Sequence, residues 1–381
     1  MTTPDADAPL ESWMRRALAL AERGRGRVEP NPMVGALLVK DGKVVAEGWH
    51  GAFGAPHAEI EAIRTAGEAA RGAMLVVSLE PCAHQGKTPP CAGALVQAGV
   101  SSVVAAHLDP DPRVSGRGVA LLRRTGIDVR MGVCGEEARE LNAPYLKRIE
   151  TGRPWWIAKW ALSRDGAIAS RGGRPLSITG AAAKREAHAL RGRSDAVVVG
   201  IGTVLADDPL LTCRESERLR VARRVVLDGK ARTPPGGRLL RSVSEGPVWI
   251  VTGPEALEGR KTLLRAAGAV VVEQPGAGRR GWDDLGARLA AEGCTNILVE
   301  GGGSVLRDLF EHGAADEAHL FLSTSVVGGK DPLPGPWGTD VTAGGVRLRG
   351  VRISRLDDDL WIRGRVEARR ASASASAAHP S

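Results

Sequence analysis

Four residues within the first hundred have the types and spacing that metal chemistry requires. His57 and Glu59 stand two positions apart in HAEIEAI, and Cys82 and Cys91 enclose eight residues in LEPCAHQGKTPPC. Imidazole nitrogen and thiolate sulfur are ligands that Zn²⁺ prefers, and a catalytic zinc site keeps one of its four positions open for water. His57, Cys82 and Cys91 leave that position open, and Glu59 can move a proton between attacking water and departing ammonia. The pattern predicts a hydrolytic deaminase.

The surrounding sequence indicates how these residues are positioned. Pro56 and Pro90 directly precede His57 and Cys91 and suit helix starts, where the helix dipole favours a thiolate. The apolar run AMLVVSLE (73–80) predicts a buried strand that delivers Cys82 just beyond its C-terminal end. Active sites of open α/β sheets lie at that end of the strands.

The pattern matches the zinc deaminase signature H-x-E followed by P-C-x-x-C, except that the two cysteines are further apart. The insert AHQGKTPP carries His84, Lys87 and Thr88, polar residues able to meet a phosphorylated or hydroxylated substrate. A structural zinc site with His84 as a fourth ligand is the alternative, but it leaves the H-x-E motif at a helix start unexplained.

The first 135 residues alternate helix and strand signals, which predicts a sheet covered by helices. Residues 34–39 and 43–50 predict a hairpin around Asp41-Gly42. Helical spacing or helix-end signals mark four segments and apolar runs mark strands between them: helices at 10–23, 57–71, 91–98 and 118–126, and strands at 73–80 and 101–110.

Length and composition favour a soluble globular protein of two domains. The chain has 381 residues, 43% of them hydrophobic and 25% charged, and contains no apolar run of the ~18 residues that a membrane span needs. The N-terminus is acidic before its amphipathic stretch, the reverse of a secretory signal, so we expect a cytoplasmic protein. The net charge of +8 is diffuse, with no basic tract interleaved with aromatics, and fits an anionic small molecule such as a phosphate ester.

A second α/β pattern follows a connector at residues 142–154. In it, VEGGGSV (299–305) joins a strand to a helix, so its backbone N–H groups could cradle a phosphate; a tight turn is the alternative. The segment TVLADDPLLTCR (203–214) has the composition of a binding loop after a strand, although Asp207 and Asp208 are equally compatible with a solvated turn. The Ala/Ser-rich stretch at 369–381 predicts disorder.

HAEIEAI and LEPCAHQGKTPPC, together with PNPMVGALLV (30–39), resemble the bifunctional riboflavin-biosynthesis deaminase/reductase family, and the similarity runs from about residue 10 to about 367. KWALSRDG, LRGRSDAVVVGIGTVLADDPLLTCR and ILVEGGGSV resemble that family's reductase half. The resemblance implies a three-layer α/β/α zinc deaminase domain at 8–149, a dihydrofolate-reductase-like α/β domain at 150–367 that uses NADPH, and a tail at 368–381. It implies deamination of a diaminopyrimidine carrying phosphoribosylamine, then reduction of the ribosyl group to a ribityl chain.

The resemblance also implies roles for individual residues. His57, Cys82 and Cys91 would hold zinc, Glu59 would shuttle protons, and Asn31 would contact the substrate, or alternatively form a turn between two prolines. The reductase substrate would be held by four residues, Arg191, Leu211, Arg214 and Glu300, with the arginines suited to its phosphate. The cofactor would be lined by Ala161, Thr203, Asp207, Gly229, Gly302, Gly303, Ser304, Val305, Leu306, Arg307 and Asp308.

The chain departs from the family at Arg164, at Ser177 and in the longer RGGRPL segment (171–176), which puts contacts near 170–177 in question. Two other functions compete with the family's. A nucleoside or tRNA deaminase with a non-catalytic second domain would bind no NADPH. A basic nucleic-acid-binding protein with structural zinc would unfold on zinc loss and bind less tightly as salt rises. We expect a small-molecule substrate and neither a nucleic acid nor a membrane as partner. The sequence does not determine the oligomeric state, and a homo-oligomer is compatible with it.

Overall fold

The computed structural model describes residues 8–83, 90–169, 178–274, 276, 278–326, 333–334 and 346–367. The insert residues His84, Lys87 and Thr88, the segment 170–177 and the tail at 368–381 lie outside the described residues. The chain divides into two compact units, one formed by the chain up to Pro154 together with Leu289–Thr295, and the other by the remainder from Trp155 onward. None of the described helices is long and apolar enough to cross a membrane.

The first unit is a five-stranded sheet covered by helices on both faces, which confirms the three-layer α/β/α prediction. The strand order is β2-β1-β3-β4-β5; the β1–β2 and β1–β3 pairs are antiparallel and the other pairs are parallel. Its elements are α1 (Ala8–Glu22), β1 (Gly35–Lys40), β2 (Lys43–Trp49), α2 (Ala58–Ala66), β3 (Met74–Val77), α3 (Cys91–Ala98), β4 (Ser102–Ala105), α4 (Arg117–Arg124), β5 (Asp128–Met131), α5 (Gly135–Leu141) and α6 (Ala143–Thr151).

The side chains of β1 alternate between the two hydrophobic cores of this unit. Leu37 and Val39 pack on one face with α1 and α5, whereas Ala36 and Leu38 pack on the other with α2, α3 and α4. Successive side chains of a strand point to opposite faces, so one strand serves both layers. The hairpin expected around Asp41-Gly42 is confirmed, because β1 and β2 pair from Gly35–Trp49 to Lys40–Lys43.

The second unit contains a nine-stranded sheet with the order β11-β10-β9-β8-β12-β6-β13-β16-β15, in which the strands from β11 to β13 are parallel neighbours. A short β14–β7 pair stands apart. Its elements are β6 (Trp155–Leu162), β7 (Ala167–Ala169), α7 (Ala181–Gly192), β8 (Ala196–Gly200), α8 (Ile201–Asp207), β9 (Arg223–Leu227), α9 (Arg238–Arg241), β10 (Val248–Thr252), α10 (Glu258–Ala266), β11 (Val270–Glu273), α11 (Gly278–Ala291), β12 (Asn296–Val299), α12 (Gly303–Glu311), β13 (Glu317–Leu322), β14 (Leu333–Pro334), β15 (Leu348–Leu356) and β16 (Asp359–Val366).

The expected loop at 203–214 is wrong in its first part, because residues 203–207 belong to helix α8. Ile201 and Val204 stand three positions apart and are both buried, so one face of this short helix packs into the core. The helix ends where Asp208 adopts the left-handed region (φ 39°) and Pro209 follows. The Asp and Pro residues that suggested a loop therefore mark the end of a helix.

Candidate active sites in the two units

The three expected zinc ligands meet in the first unit. His57 is the N-cap of α2, Cys91 is the first residue of α3, and Cys82 follows β3, so three different elements each contribute one ligand. His57 Nδ1 lies 3.2 Å from Cys91 Sγ and 3.6 Å from Cys82 Sγ, and all three ligand atoms lie within 4.8 Å of one another. These helix starts confirm the positions that Pro56 and Pro90 indicated.

The donor set fits a zinc ion. Ideal tetrahedral Zn–N and Zn–S bonds put a nitrogen and a sulfur ligand about 3.6 Å apart, close to both observed distances. The pKa of the Cys82 thiol is lowered because its sulfur accepts hydrogen bonds from Cys91 and His57, which favours the thiolate that a metal binds. Among the described residues three side chains converge as ligands, which leaves one tetrahedral position for a reacting group, as in catalytic zinc sites.

Glu59 lies in the same cavity, which has a volume of ≈ 350 Å³ and is also lined by His57 and Cys82. Its side chain is buried, and burial raises the pKa of its carboxyl to about 7. A carboxyl of this kind can hold or release a proton near neutral pH, which is what a general acid and base must do. Glu59 is in the first turn of α2, so its position relative to His57 is fixed by the helix.

Close backbone approaches hold the ligand-bearing segments in place. A Cβ atom at Gly118 would lie 1.8 Å from the Pro81 carbonyl oxygen, directly before Cys82. The buried Glu80 carboxylate accepts the backbone N–H of Gly118 at 3.0 Å and that of Gly116 at 2.9 Å. The start of α4 therefore packs tightly against the Cys82 segment, and only glycine fits at residue 118.

Asn31 lines the cavity beside a histidine that the sequence reasoning missed. The Asn31 side-chain amide lies 3.3 Å from His50 Nε2, and His50 Nδ1 lies 3.0 Å from the Pro56 carbonyl oxygen. Because a carbonyl oxygen can only accept, Nδ1 carries the proton and Nε2 accepts from Asn31. The His50 ring also packs edge-on against His57 at 5.5 Å. His50 therefore contacts both Asn31 and the expected zinc ligand His57.

Later segments of this unit supply further cavity residues that no local motif marks. The Tyr145 hydroxyl donates a hydrogen bond of 2.8 Å to Asp109 Oδ1, and Asp111 pairs with Arg113 at 3.0 and 3.1 Å. Arg148, one turn after Tyr145 on α6, lines the cavity as well. These residues come from a loop after β4 and from α6, and only the fold brings them to His57.

In the second unit, the expected cofactor residues gather at one edge of the sheet. Thr203 and Asp207 follow β8, Gly229 follows β9, and the run Gly302–Asp308 follows β12, while Ala161 stands near the end of β6. These four strands are parallel neighbours, so their carboxyl ends share one edge.

The start of α12 is compatible with a cofactor phosphate. Among the described residues no side chain caps this nine-residue helix, and a Cβ atom at its N-cap Gly302 would meet no atom of theirs within 4 Å. Val305 sits against the preceding strand ends, since a Cβ at Gly200 would lie 2.7 Å from its Cγ2. Further along the helix, Leu306 is buried in the core, whereas the Asp308 carboxylate accepts a hydrogen bond of 2.7 Å from Trp282 and its side chain stays partly exposed.

Two of the expected substrate residues bind each other. Arg191 on α7 donates hydrogen bonds of 2.8 and 2.6 Å to the two carboxylate oxygens of Glu300, which follows β12. Burial alone would raise the pKa of Glu300, but the charges of Arg191 and Lys159 lower it to about 2. Glu300 is therefore an anion, and Lys159, which the sequence reasoning missed, completes a buried cluster of charges.

The other two expected substrate residues lie in the segment after α8. Leu211 is buried and adopts a positive φ of 58°. The backbone N–H of Arg214 donates a hydrogen bond of 3.1 Å to Nδ1 of the buried His188, and its guanidinium contacts Thr212 Oγ1 at 3.2 Å. Since His188 and Arg191 stand on the same helix, α7 positions Arg214 close to the Arg191–Glu300 pair.

A His/Cys/Cys metal cluster in one α/β unit and a parallel sheet with a glycine-rich helix start in the other define a zinc deaminase joined to a nucleotide-dependent reductase. Comparison with known proteins identifies the family. Residues 8–107 match the cytidine and deoxycytidylate deaminase zinc-binding region, and residues 154–362 match the RibD C-terminal domain. The chain belongs to the RibD family of riboflavin-biosynthesis deaminase/reductases and uses Zn²⁺ and NADPH.

Individual relatives span almost the whole chain. The riboflavin biosynthesis protein RibD of Aquifex aeolicus is 37% identical over 92% of this chain and 97% of its own length, and that of Escherichia coli K12 is 39% identical over 85% and 91%. The Acinetobacter baumannii RibD structure (form 1) superposes with a TM-score of 0.81 at 34% identity, covering 94% of this chain and 99% of that chain. A Thermotoga maritima structure, a diaminohydroxyphosphoribosylaminopyrimidine deaminase/5-amino-6-(5-phosphoribosylamino)uracil reductase, has a TM-score of 0.79 at 35% identity with the same coverage.

Proposed function

We propose that the first unit hydrolyses 2,5-diamino-6-(5-phosphoribosylamino)pyrimidin-4(3H)-one to 5-amino-6-(5-phosphoribosylamino)uracil and ammonia. The second unit then reduces the ribosyl group of that product with NADPH to give 5-amino-6-(5-phosphoribitylamino)uracil. The observation that carries the deaminase assignment is the convergence of His57, Cys82 and Cys91 beside the buried Glu59 in one cavity. The activities of the Thermotoga maritima relative support both steps.

In the deaminase step, His57, Cys82 and Cys91 would hold the zinc ion, which would supply Lewis acidity to the attacking water. Glu59 takes the proton from this water and delivers it to the amino group that leaves, so the carboxylate ends each cycle unprotonated. Asn31, held by His50, contacts the pyrimidine.

In the reductase step, NADPH would supply the hydride that reduces the ribosyl carbon, and the residues of the second unit would orient cofactor and substrate. We assign the cofactor to the sheet edge formed by Ala161, Thr203, Asp207, Gly229 and the run 302–308. Arg191, Leu211, Arg214 and Glu300 hold the substrate, and the guanidinium of Arg214 suits its phosphate. The domains extend over 8–149 and 150–367 in this proposal. We further propose a cytoplasmic enzyme whose partners are small molecules, with no nucleic acid or membrane, and which is able to form a homo-oligomer.

The test supplies the diaminopyrimidine phosphate with and without NADPH. Ammonia should be released in both cases, and NADPH oxidation should begin only after that release. Glu59→Gln should keep its zinc content, but its rate of ammonia release should fall about 100-fold or more, since general acid–base catalysis contributes that much.

Glu61→Gln is the matched control. Glu61 lies two residues further along α2 and pairs with Arg64 at 3.0 Å on the outer side of the helix. It should deaminate like the unchanged chain. Full ammonia release by a zinc-loaded Glu59→Gln variant would disprove the deaminase assignment, and deamination of cytidine or tRNA without NADPH oxidation would favour the competing function.

A further inference from the structure

The wall of the deaminase cavity contributed by α6 carries a cation with no role in the zinc site. Tyr145, Arg148 and Ile149 line the cavity together. Tyr145 and Arg148 stand three positions apart and so share one helix face. The hydrogen bond from Tyr145 to Asp109, 2.8 Å long, ties this face to the loop after β4, so the backbone that carries Arg148 is held in place.

The carboxylates around the cavity are already committed to other groups. Glu80 accepts backbone N–H groups at the start of α4, including those of Gly116 and Gly118. Asp109 accepts the Tyr145 hydroxyl and the backbone N–H of Asp111 at 2.9 Å. The Arg113 guanidinium pairs with Asp111 and therefore neutralises the charge of the Asp111 carboxylate.

Arg148 differs from these groups. Its side chain is half-buried and lines the cavity, and within the part of the chain that the structure describes no hydrogen-bond acceptor or carboxylate pairs with its guanidinium. A guanidinium presents N–H donors in a planar fork that matches two oxygens of a phosphate. A half-buried cation that faces a cavity without a protein partner is suited to an anionic group of the ligand.

We propose that Arg148 binds the phosphate of the deaminase substrate and that Arg113, by pairing with Asp111, prevents that carboxylate from repelling it. This assignment rests on the proposed function, because it requires a phosphorylated substrate in the first unit. It places the phosphate at α6 and the pyrimidine at the zinc ligands, so the cavity binds both ends of one substrate molecule. Arg148 is thus a specificity residue that selects phosphorylated over unphosphorylated pyrimidines.

The test compares Arg148→Gln with the unchanged full-length, zinc-loaded chain, using ammonia release from the phosphoribosylamino substrate and from its dephosphorylated form. Loss of a charge-assisted hydrogen-bonding partner should raise KM for the phosphorylated compound about 10- to 100-fold and leave kcat nearly unchanged. KM for the dephosphorylated compound should not change. Inorganic phosphate should inhibit the unchanged chain competitively and Arg148→Gln more weakly.

Arg148→Lys keeps the charge without the fork and should give an intermediate KM. Lys147→Gln, the neighbouring position of α6 that does not line the cavity, is the matched control and should keep the original KM. An unchanged KM in Arg148→Gln, or an equal loss on both compounds, would overturn the assignment while leaving the deaminase intact. A wild-type chain that releases ammonia from neither compound would overturn the proposed function and this assignment with it.

Discussion

The buried charge cluster of the second unit gives a quantitative prediction. Arg191 and Glu300 make two hydrogen bonds, and the exposed fractions of their side chains are 17% and 9%. Lys159 adds a second cation, whose charge also lowers the pKa of Glu300. Because one anion serves two cations, we expect removal of Glu300 to destabilise this unit more than removal of Arg191.

The magnitude follows from the pKa of Glu300. Its fall from 4.5 to about 2 corresponds to a preference of about 3 kcal/mol for the ionised carboxylate in the folded chain. Removal of one partner from a buried pair generally costs about 3–5 kcal/mol. Arg191→Met should therefore lower the free energy of unfolding of the second unit by about 3 kcal/mol. Glu300→Gln should lower it by more, because Arg191 and Lys159 then face each other without an anion.

Urea unfolding followed by tryptophan fluorescence measures this unit selectively, because seven of the nine tryptophans lie at or after Trp155. The double variant Arg191→Met/Glu300→Gln completes a double-mutant cycle, and its cost should be smaller than the sum of the single costs by about 2–3 kcal/mol. Arg265→Met is the control. Arg265 pairs with Glu258 at 2.7 Å on the surface, so this variant should unfold at the original urea midpoint.

Acidity gives an independent check on the same pair. Glu300 has a lower pKa in the folded than in the unfolded chain, so its stabilisation is fully present above about pH 4.5 and is lost as the pH falls toward 2. The difference in unfolding free energy between the unchanged chain and Arg191→Met should shrink over that range. Strictly additive single costs, or single costs below about 1 kcal/mol, would refute the reasoning.

Two glycines provide the remaining predictions. Gly118→Ala places a Cβ 1.8 Å from the Pro81 carbonyl oxygen and should reduce bound zinc and ammonia release. Gly93→Ala is the control and should leave both unchanged, because its Cβ would meet no atom of the described residues within 4 Å. Normal zinc content in Gly118→Ala would contradict the packing argument. Gly200→Ala places a Cβ 2.7 Å from Val305 Cγ2 and should displace the start of α12. It should weaken NADPH binding in a fluorescence titration and leave deamination unaffected. Unaltered NADPH affinity would contradict the assignment of the cofactor to this edge of the sheet.

The deaminase site could be predicted from sequence because its signal is local. His57 and Glu59 lie within one helix turn, Cys91 begins α3 directly after Pro90, and Cys82 follows the apolar strand β3 by five residues. Local spacing therefore specified both the ligand set and the open coordination position. His50, by contrast, carries no such signal, since its link to Asn31 depends on a turn of the chain between them.

The charge cluster shows why the rest of the site could not be predicted. Arg191 and Glu300 are 109 positions apart, and both were expected to contact the substrate. They become neighbours only because β8 and β12 pair in parallel, which brings the segment after β12 alongside α7. Once paired, Arg191 neutralises Glu300 and offers less of its own charge to a phosphate. A sequence comparison can assign such residues to a site, but which of them holds the ligand and which holds its neighbour depends on the hydrogen bonds of the fold. On this basis Arg214, which is exposed and makes no ion pair among the described residues, is the better candidate for the phosphate of the reductase substrate.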